Sequence, residues 1–173
     1  MTSAATLRPA QTADDAFLMR LEAGLGTHLR GCRELGPEAT ARLARLLLVG
    51  REAAWKAAWP EARCLVIECE GEAVGRLWIT DPGDDWQLLH VAVLPTHRHR
   101  GLASQAVAQW LVEADRAGAR VSTRTAQVDT ARCLIDRFDF RFAGGTASSA
   151  HLRRLPLSGI GRWGEERTLP MAA

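Results

Sequence analysis

The sequence lacks several features that would place it in a common class of protein. It has no tyrosine and only four cysteines among 173 residues. The cysteines show neither C-x-x-C spacing nor histidines at zinc-like intervals, so we expect no metal site and no disulfide framework. The 22 basic and 20 acidic residues leave a net charge of only +2, which gives no reason to expect nucleic acid as a partner.

Long hydrophobic runs are also missing. The first 15 residues do not contain the apolar core of a secretory signal peptide. The strongest apolar run, residues 46–49, is far shorter than the roughly 18 residues that a membrane span requires. We therefore expect a cytoplasmic protein with no membrane partner.

What is present fits a single globular domain. Hydrophobic residues make up 47% of the chain and charged residues 24%, which is the balance of an ordinary folded protein. We predict one domain over residues 1–155, followed by a C-terminal tail over 156–173 that is rich in glycine and proline.

The hydrophobic pattern predicts the order of helices and strands. Apolar residues at helical spacing predict helices over 16–25, 37–59, 103–117 and 130–138. Apolar or alternating runs predict strands over 6–8, 64–69, 73–79, 86–94 and 119–125, with a last strand pair around Gly144 and Gly145. Glycines between 24 and 36 predict a broken helix or a loop there. This order predicts an α+β fold whose central sheet is mixed, mostly antiparallel, and covered by helices on both faces.

The junction between strand 86–94 and helix 103–117 carries the strongest chemical signal. The first N–H groups of a helix have no partners within it, and together with the helix dipole they attract anions. Gly101 and Ala103 would let an anion approach the main chain, and Arg98 and Arg100 add positive charge. The junction therefore predicts a phosphate or pyrophosphate held by residues 98–104. The alternative is a tight turn with solvated arginines.

Residues 89–104 resemble the acetyl-CoA-binding signature of the GNAT family of N-acetyltransferases. The signature is a strand ending in a V-x-P-like segment, followed by [Q/R]-x-x-G-x-[G/A], which falls here on Arg98, Gly101 and Ala103. Residues 129–140 are similar to the family's N-x-A-R-x-L-Y-x-x-x-G-F helix. The resemblance implies a GNAT-like domain that uses acetyl-CoA as cosubstrate and transfers its acetyl group to an unidentified amine by direct attack.

The resemblance also implies which residues bind the cofactor. The pyrophosphate would lie on the loop and helix start, and the pantetheine arm would pair with the strand's main chain. The N–H groups of Val91 and Val93 would then polarise the thioester carbonyl. The implied residues are Val91, Ala92, Val93, Arg98, His99, Arg100, Gly101, Leu102, Ala103 and Ser104.

The chain departs from the family pattern at the residues that carry proton transfer. The tyrosine that often protonates the leaving thiolate is replaced by Ile135, and Gln87 stands near the usual place of a basic carboxylate. We predict His90 as the catalytic base, with a water relay as the alternative for removing the proton and a histidine packed on the sheet as its structural alternative. Asp129, where the family has asparagine, is expected to cap a helix that starts at Thr130.

The remaining candidates for an acceptor pocket each have a structural alternative. Asp84 and Asp85 are predicted to form a solvated turn before the strand, or else to contact a cationic acceptor. Glu22 and Glu34 lie in the helical region that shapes the acceptor pocket of the family. Four tryptophans are expected to pack on the sheet, with contact to a substrate as the alternative for the first two and the wall of the acceptor cleft for the last two: Trp55, Trp59, Trp78 and Trp86.

Three functions stay open on the sequence. The first is the N-acetyltransferase, and the second is a catalytically impaired acyl-CoA-binding sensor or partner protein, for which the absent tyrosine argues. The third is a protein-interaction domain without a cofactor. The acceptor amine could be a small amine, an aminoglycoside-like polyamine, an amino acid or a protein N-terminus, because a fold does not fix the second substrate. The resemblance also allows a homodimer.

Overall fold

The computed structural model describes residues 4–25, 36–81, 83–126, 128–146 and 148–157, and the structural statements below concern these residues. Seven strands are described: β1 (Ala5–Pro9), β2 (Arg63–Cys69), β3 (Glu72–Thr80), β4 (Asp85–Val93), β5 (Arg120–Thr125), β6 (Arg141–Thr146) and β7 (Ser149–Arg154). The four α-helices are α1 (Asp15–Leu25), α2 (Pro37–Ala58), α3 (Leu102–Ala117) and α4 (Val128–Phe138). Short 3₁₀ turns at Thr12–Asp14 and Pro95–His97 precede α1 and follow β4.

All seven strands form one sheet in the order β1-β2-β3-β4-β5-β7-β6. Every pair of neighbours is antiparallel except β4 and β5, which are parallel. A parallel pair needs a crossover connection, and α3 supplies it. The predicted α+β fold with a mixed, mostly antiparallel sheet is therefore confirmed.

Helices cover both faces of the sheet, as predicted. On one face, α3 and α4 pack over a core that includes Leu77, Leu88, Trp110 and Leu152. On the other face, α1 and α2 pack over a smaller core. The members of that second core are Phe17, Leu18, Leu21, Leu48, Val66 and Ala92. Successive side chains of a strand point to opposite faces, so each central strand contributes to both cores.

Helix α3 begins and ends at glycines in the left-handed conformation. Gly101 precedes the helix with φ +76° and Gly118 follows it with φ +67°. The Gly118 N–H donates to the carbonyls of Ala114 and Asp115 and so completes the last turn. Glycine reaches this conformation without a steric penalty, which explains why it follows the last residue of the helix.

One local prediction is wrong. Helix α4 begins at Val128, so Asp129 lies inside its first turn instead of capping a helix that starts at Thr130. An acidic residue is favoured in either place by the helix dipole, which is why the boundary was misplaced. The last strand pair forms around Gly144 and Gly145 as predicted, and both glycines lie within β6. At Gly145 a side chain would collide with the Ser149 carbonyl, so the glycine serves close strand packing.

Among the described helices, none combines the length and the apolarity needed to cross a membrane.

Candidate active site

The centre of the sheet opens where β4 separates from β5. The two strands pair from Asp85 with Arg120 to Leu88 with Thr123, and the pairing stops there. Strand β4 nevertheless continues to Val93. A wedge-shaped gap therefore lies between the second half of β4 and the end of β5.

A β-bulge in β4 accounts for this separation. Ile79 of β3 pairs with Leu88, and the next residue, Trp78, pairs with His90. Leu89 is the extra residue, and an extra residue bends the strand that carries it. The bend directs β4 away from β5 just where their pairing ends.

The edge of β4 that faces the wedge carries unpaired main chain. The Leu94 N–H donates to the Val74 carbonyl of the β3 side at 2.8 Å, and the direction of N–H and C=O groups alternates along a strand. The N–H groups of Val91 and Val93 therefore point into the wedge. The Val93 carbonyl also points away from β3, since it accepts a hydrogen bond from the Arg98 Nε at 3.3 Å.

Ala92 differs from its two neighbours. By the same alternation its main chain faces β3, and its side chain belongs to the buried core under α1. Val91 and Val93, in contrast, pack toward α3. Ala92 thus contributes to the predicted cofactor edge only by its position between them.

The loop at the end of β4 leads directly into the start of α3. The first hydrogen bond of the helix runs from the Gln105 N–H to the Gly101 carbonyl at 2.9 Å. The amides of Leu102, Ala103 and Ser104 come before this bond, so they have no acceptor within the helix. A side chain added to Gly101 would meet only the Gln105 Nε2, 3.9 Å away, so the space above this backbone is open.

Arg98 is placed differently from the other predicted anion-binding residues. Its N–H donates to the Pro95 carbonyl at 3.4 Å. This N–H is therefore not available to an anion, and the free amides that were expected at this loop begin after Arg98. Its side chain bonds the Val93 carbonyl and is thereby held at the mouth of the wedge. His99 has a left-handed φ of +61°, and both it and Arg100 are exposed.

Helix α4 borders the wedge on the far side of this loop. The Arg137 Nη1 donates to the Ser104 Oγ at 3.5 Å, which joins α4 to the first turn of α3. Ile135, which stands at the usual tyrosine position, is 41% exposed on α4. The side chain is therefore not a core residue, and a polar group at this position would not be buried.

A cavity of 410 Å³ lies beside the wedge, on the face of the sheet that α1 and α2 cover. Two tryptophans at the end of α2 line one side, and polar side chains of β4, β5 and β7 line the floor. The lining residues are Trp55, Trp59, Asp85, Gln87, Leu88, Leu89, Ser122, Thr123, Arg124, His151 and Arg153. The volume suits a small molecule.

Asp85 belongs to this floor, and its prediction as part of a solvated turn is wrong. It is the first residue of β4 and is half-buried. Its Oδ1 accepts a hydrogen bond from the Ser122 Oγ at 3.0 Å, and its Oδ2 lies 3.5 Å from the Arg120 Nη2. Asp84 is exposed, as expected for a turn.

Three basic residues of the floor were missed by the sequence analysis. Ser122 is the register partner of Arg153, and Arg124 is the register partner of His151. These four residues share one face of β5 and β7 because successive side chains of a strand point to opposite faces. That alternation was visible in the sequence, but it did not show that the two strands would be neighbours.

His90 lies next to the cavity wall. The Trp55 ring is tilted on His90 at 5.7 Å between centroids and on Trp78 at 5.2 Å. Trp55 thus packs on the sheet as expected and lines the cavity together with Trp59, while Trp86 packs on Trp110 at 5.8 Å on the opposite face. The role of His90 as a base stays a prediction.

Glu22 does not line the cavity. It is buried and binds two guanidinium groups, Arg76 at 2.5 Å and Arg51 at 3.0 Å. A buried carboxylate held in this way fixes α1 to the sheet and to α2. Glu34, the other candidate from this region, lies outside the described residues.

Comparison with known proteins identifies the family. The model of the acetyltransferase (GNAT) family matches residues 34–138, more than half of the chain. The chain therefore belongs to the GNAT family, whose members are N-acetyltransferases. A search of curated proteins finds no match.

Solved structures show the same fold at low sequence identity. The PaiA N-acetyltransferase from Thermoplasma acidophilum in complex with coenzyme A is similar with a TM-score of 0.62 and 10% identity, over 88% of this chain and 99% of that one. An acetyltransferase from Thermus thermophilus is similar with a TM-score of 0.61 and 20% identity, over 89% and 98%. A GNAT family acetyltransferase from Brucella melitensis in complex with acetyl-CoA is similar with a TM-score of 0.54 and 17% identity, over 87% of each chain.

Proposed function

We propose that this protein transfers the acetyl group of acetyl-CoA to an amine by direct attack. The amine nitrogen forms a bond with the thioester carbon, the carbon–sulfur bond breaks, and the thiolate of coenzyme A leaves. One proton leaves the nitrogen, and the thiolate takes up one. The observation that carries the proposal is the wedge beside β4, which adjoins both the start of α3 and the cavity.

The cofactor would lie along the open edge of β4. The amides of Leu102, Ala103 and Ser104 would bind the pyrophosphate at the positive end of the helix dipole. Arg98 and Arg100 would add charge at the same end. The N–H groups of Val91 and Val93 would pair with the pantetheine arm and polarise the carbonyl of the thioester. Two of the similar proteins were solved with coenzyme A or acetyl-CoA, which supports this choice of cosubstrate.

Proton transfer would depend on few side chains. His90 lies beside the cavity under Trp55, where it could take the proton from the amine directly or through water. The absent tyrosine weakens protonation of the leaving group but does not forbid the reaction. A thiolate with a pKa of about 8.5 leaves with little help.

Two measurements test the proposal separately. Calorimetry with acetyl-CoA and coenzyme A tests binding, and release of free thiol in the presence of a varied panel of amines tests transfer. Binding together with thiol release that depends on one class of amine is the expected result. Binding without release from any amine would instead favour the acyl-CoA sensor, and no binding at all would overturn the cofactor assignment.

A further inference from the structure

Two arginines on the floor of the cavity have no acidic partner. Among the described residues, no carboxylate lies within ion-pair distance of Arg124 or Arg153, although the side chains of both reach the cavity. The Nε of Arg153 is buried and has no hydrogen-bond partner. A buried guanidinium N–H that donates to nothing is costly, so this arrangement favours a ligand that supplies an acceptor.

Their placement makes these arginines a joint anion site. Arg124 faces His151 across β5 and β7, and Arg153 faces Ser122 one step along the same ladder. Directly opposed residues have Cβ atoms about 5 Å apart, and diagonal ones about 7–8 Å. Two guanidinium groups at this spacing can bind one carboxylate or phosphate, with the imidazole of His151 beside it.

Asp85, the acidic residue among those that line the described part of this cavity, does not neutralise Arg124 and Arg153. Asp85 accepts a hydrogen bond from Ser122 and lies at ion-pair distance from Arg120. Arg120 precedes Ser122 by two residues on β5, so it lies on the side of Ser122 away from Arg124. Arg124 and Arg153 therefore keep their charge toward the cavity. This excess of positive charge opposes a polyamine or another polycation as the ligand.

We infer that the acceptor is a small amine that also carries an anionic oxygen group, which Arg124 and Arg153 bind while the amine faces the wedge. An amino acid carboxylate is the smallest group of this kind, and a phosphate has the same chemistry. The inference rests on the proposed function and names the substrate class of that same site.

The rest of the cavity fits such a molecule. Trp55 and Trp59 offer an apolar wall opposite the arginines, which suits the uncharged body of the acceptor. The positive charges also favour the neutral over the ammonium form of a nearby amine. Acetyl transfer requires the neutral form, because only it has an electron pair to attack with.

Matched pairs of amines test the inference on the unaltered protein. Rates of thiol release are compared for a set of α-amino acids and their amides, for phosphoethanolamine and ethanolamine, and for spermidine. We expect kcat/KM to be at least about 10-fold higher for the anionic member of the productive pair. The pair of amino acid and amide tests a carboxylate as the anion, and the pair of phosphoethanolamine and ethanolamine tests a phosphate. Equal or better rates with the amides, with ethanolamine or with spermidine would overturn the inference and leave the transferase assignment standing.

Variants test the two arginines themselves. Arg153→Met and Arg124→Met should each raise KM for the anionic amine about 10- to 100-fold with little change in kcat, and the preference over the uncharged partner should shrink equally. Arg153→Lys should retain part of the preference. Arg116→Met is the matched control, since it removes one positive charge from an exposed position on α3, on the opposite face of the sheet from the cavity. A KM that rises equally for charged and uncharged amines would show that the arginines act only on the fold.

Binding of the product separates this inference from the proposed function. If acetyl-CoA binds but no amine is acetylated, calorimetry with N-acetylated amino acids and N-acetylated amino acid amides still tests the cavity. Preferential binding of the carboxylate form that Arg153→Met abolishes would support the anion site without transfer. Equal binding of both forms would contradict it.

Discussion

The two halves of the proposed active site, a cofactor edge and an acceptor cavity, are built from different parts of the chain. The cofactor edge consists mainly of main-chain N–H groups on β4 and at the start of α3, within one stretch of about 15 residues. The acceptor cavity consists of side chains from α2, β4, β5 and β7, which are far apart in the sequence. A main-chain site depends on backbone conformation and tolerates many side chains, whereas a side-chain site can change its ligand through one substitution. This difference explains how one fold can keep a cofactor and vary the acceptor.

The largest effect is expected where the cofactor edge depends on a glycine. Gly101→Val would place a branched side chain on a residue with φ +76°, directly before the amides of α3. The strain and the side chain together should displace the loop from the pyrophosphate. We expect affinity for acetyl-CoA to fall about 100-fold or more in calorimetry, the equivalent of one or two lost charge-assisted hydrogen bonds.

Gly118→Val is the matched control for this prediction. Gly118 has nearly the same conformation, φ +67°, at the opposite end of the same helix, and a side chain there meets nothing within 4 Å. Both variants should lose about 1–2 kcal/mol of stability from the left-handed backbone, but only Gly101→Val should lose the cofactor. Equal loss of binding in both would mean that helix stability, and not the loop, controls the site.

An ion pair connects the two halves and allows a test of their independence. The Arg154 guanidinium of β7 donates to both carboxylate oxygens of Asp115 on α3, at 2.7 and 2.8 Å, and Arg154 is only 4% exposed. Asp115→Asn would leave that buried charge without its partner and should lower the free energy of unfolding by about 2 kcal/mol. Chemical denaturation measures this loss.

The position of this pair predicts which half of the site is affected more. Arg154 follows Arg153 directly on β7, while Asp115 lies about three and a half turns from the start of α3. We expect KM for the acceptor to rise more than the Kd of acetyl-CoA. Glu38→Gln, which removes an exposed ion pair with Arg42 on α2, should change neither stability nor binding measurably. A cofactor affinity that falls as much as acceptor affinity would show that the two halves are coupled.

The sequence predicted one half of the site much better than the other, and for a physical reason. The amides before Gln105 follow from one contiguous pattern, a strand that ends at Pro95 and a glycine before a helix. The bulge at Leu89 could not be found, because apolar residues continue through it without a change of pattern. Arg124 and His151 could not be joined either, since their pairing depends on β7 lying between β5 and β6.

A smaller effect is expected from restoring the absent acid. Ile135→Tyr would place a phenol on α4 at a position that is already partly exposed. Arg137, two residues further along this helix, donates a hydrogen bond to Ser104 at the start of α3. If the thiolate of coenzyme A leaves near this helix, the phenol can protonate it. We expect kcat to rise about 10-fold, at the low end of what a general acid contributes, because a thiolate is a good leaving group.

Ile135→Phe separates the hydroxyl from the ring in this experiment. It adds nearly the same volume without a proton donor, so kcat should stay near that of the unaltered protein. The Kd of acetyl-CoA should be similar in all three proteins. A tyrosine variant no faster than the phenylalanine variant would mean either that the thiolate leaves elsewhere or that its protonation does not limit the rate.

The smallest effect concerns stability at acid pH. It should affect neither the cofactor edge nor the acceptor cavity. Hydrogen bonds from the Arg8 guanidinium, at 2.7 Å to each oxygen, and from the Gln11 N–H lower the pKa of Asp14 to about 2. A carboxyl whose pKa is lowered by folding stabilises the protein above its ordinary pKa of 3.8, and this contribution is lost as the pH falls toward 2. Because Arg8 is one third exposed, the contribution should be only about 1 kcal/mol.

Asp14→Asn tests this assignment against the active-site groups. The variant should be less stable at pH 7 by about 1 kcal/mol and should lose less further stability between pH 4 and pH 2 than the unaltered protein. Asp14 is the last residue of the 3₁₀ turn before α1 and lines neither the wedge nor the cavity. At neutral pH its replacement should therefore leave the Kd of acetyl-CoA and the KM of the acceptor unchanged together. A change in only one of them would show that β1 and α1 position that half of the site, and the division between a main-chain and a side-chain half would then need α1 as a third component.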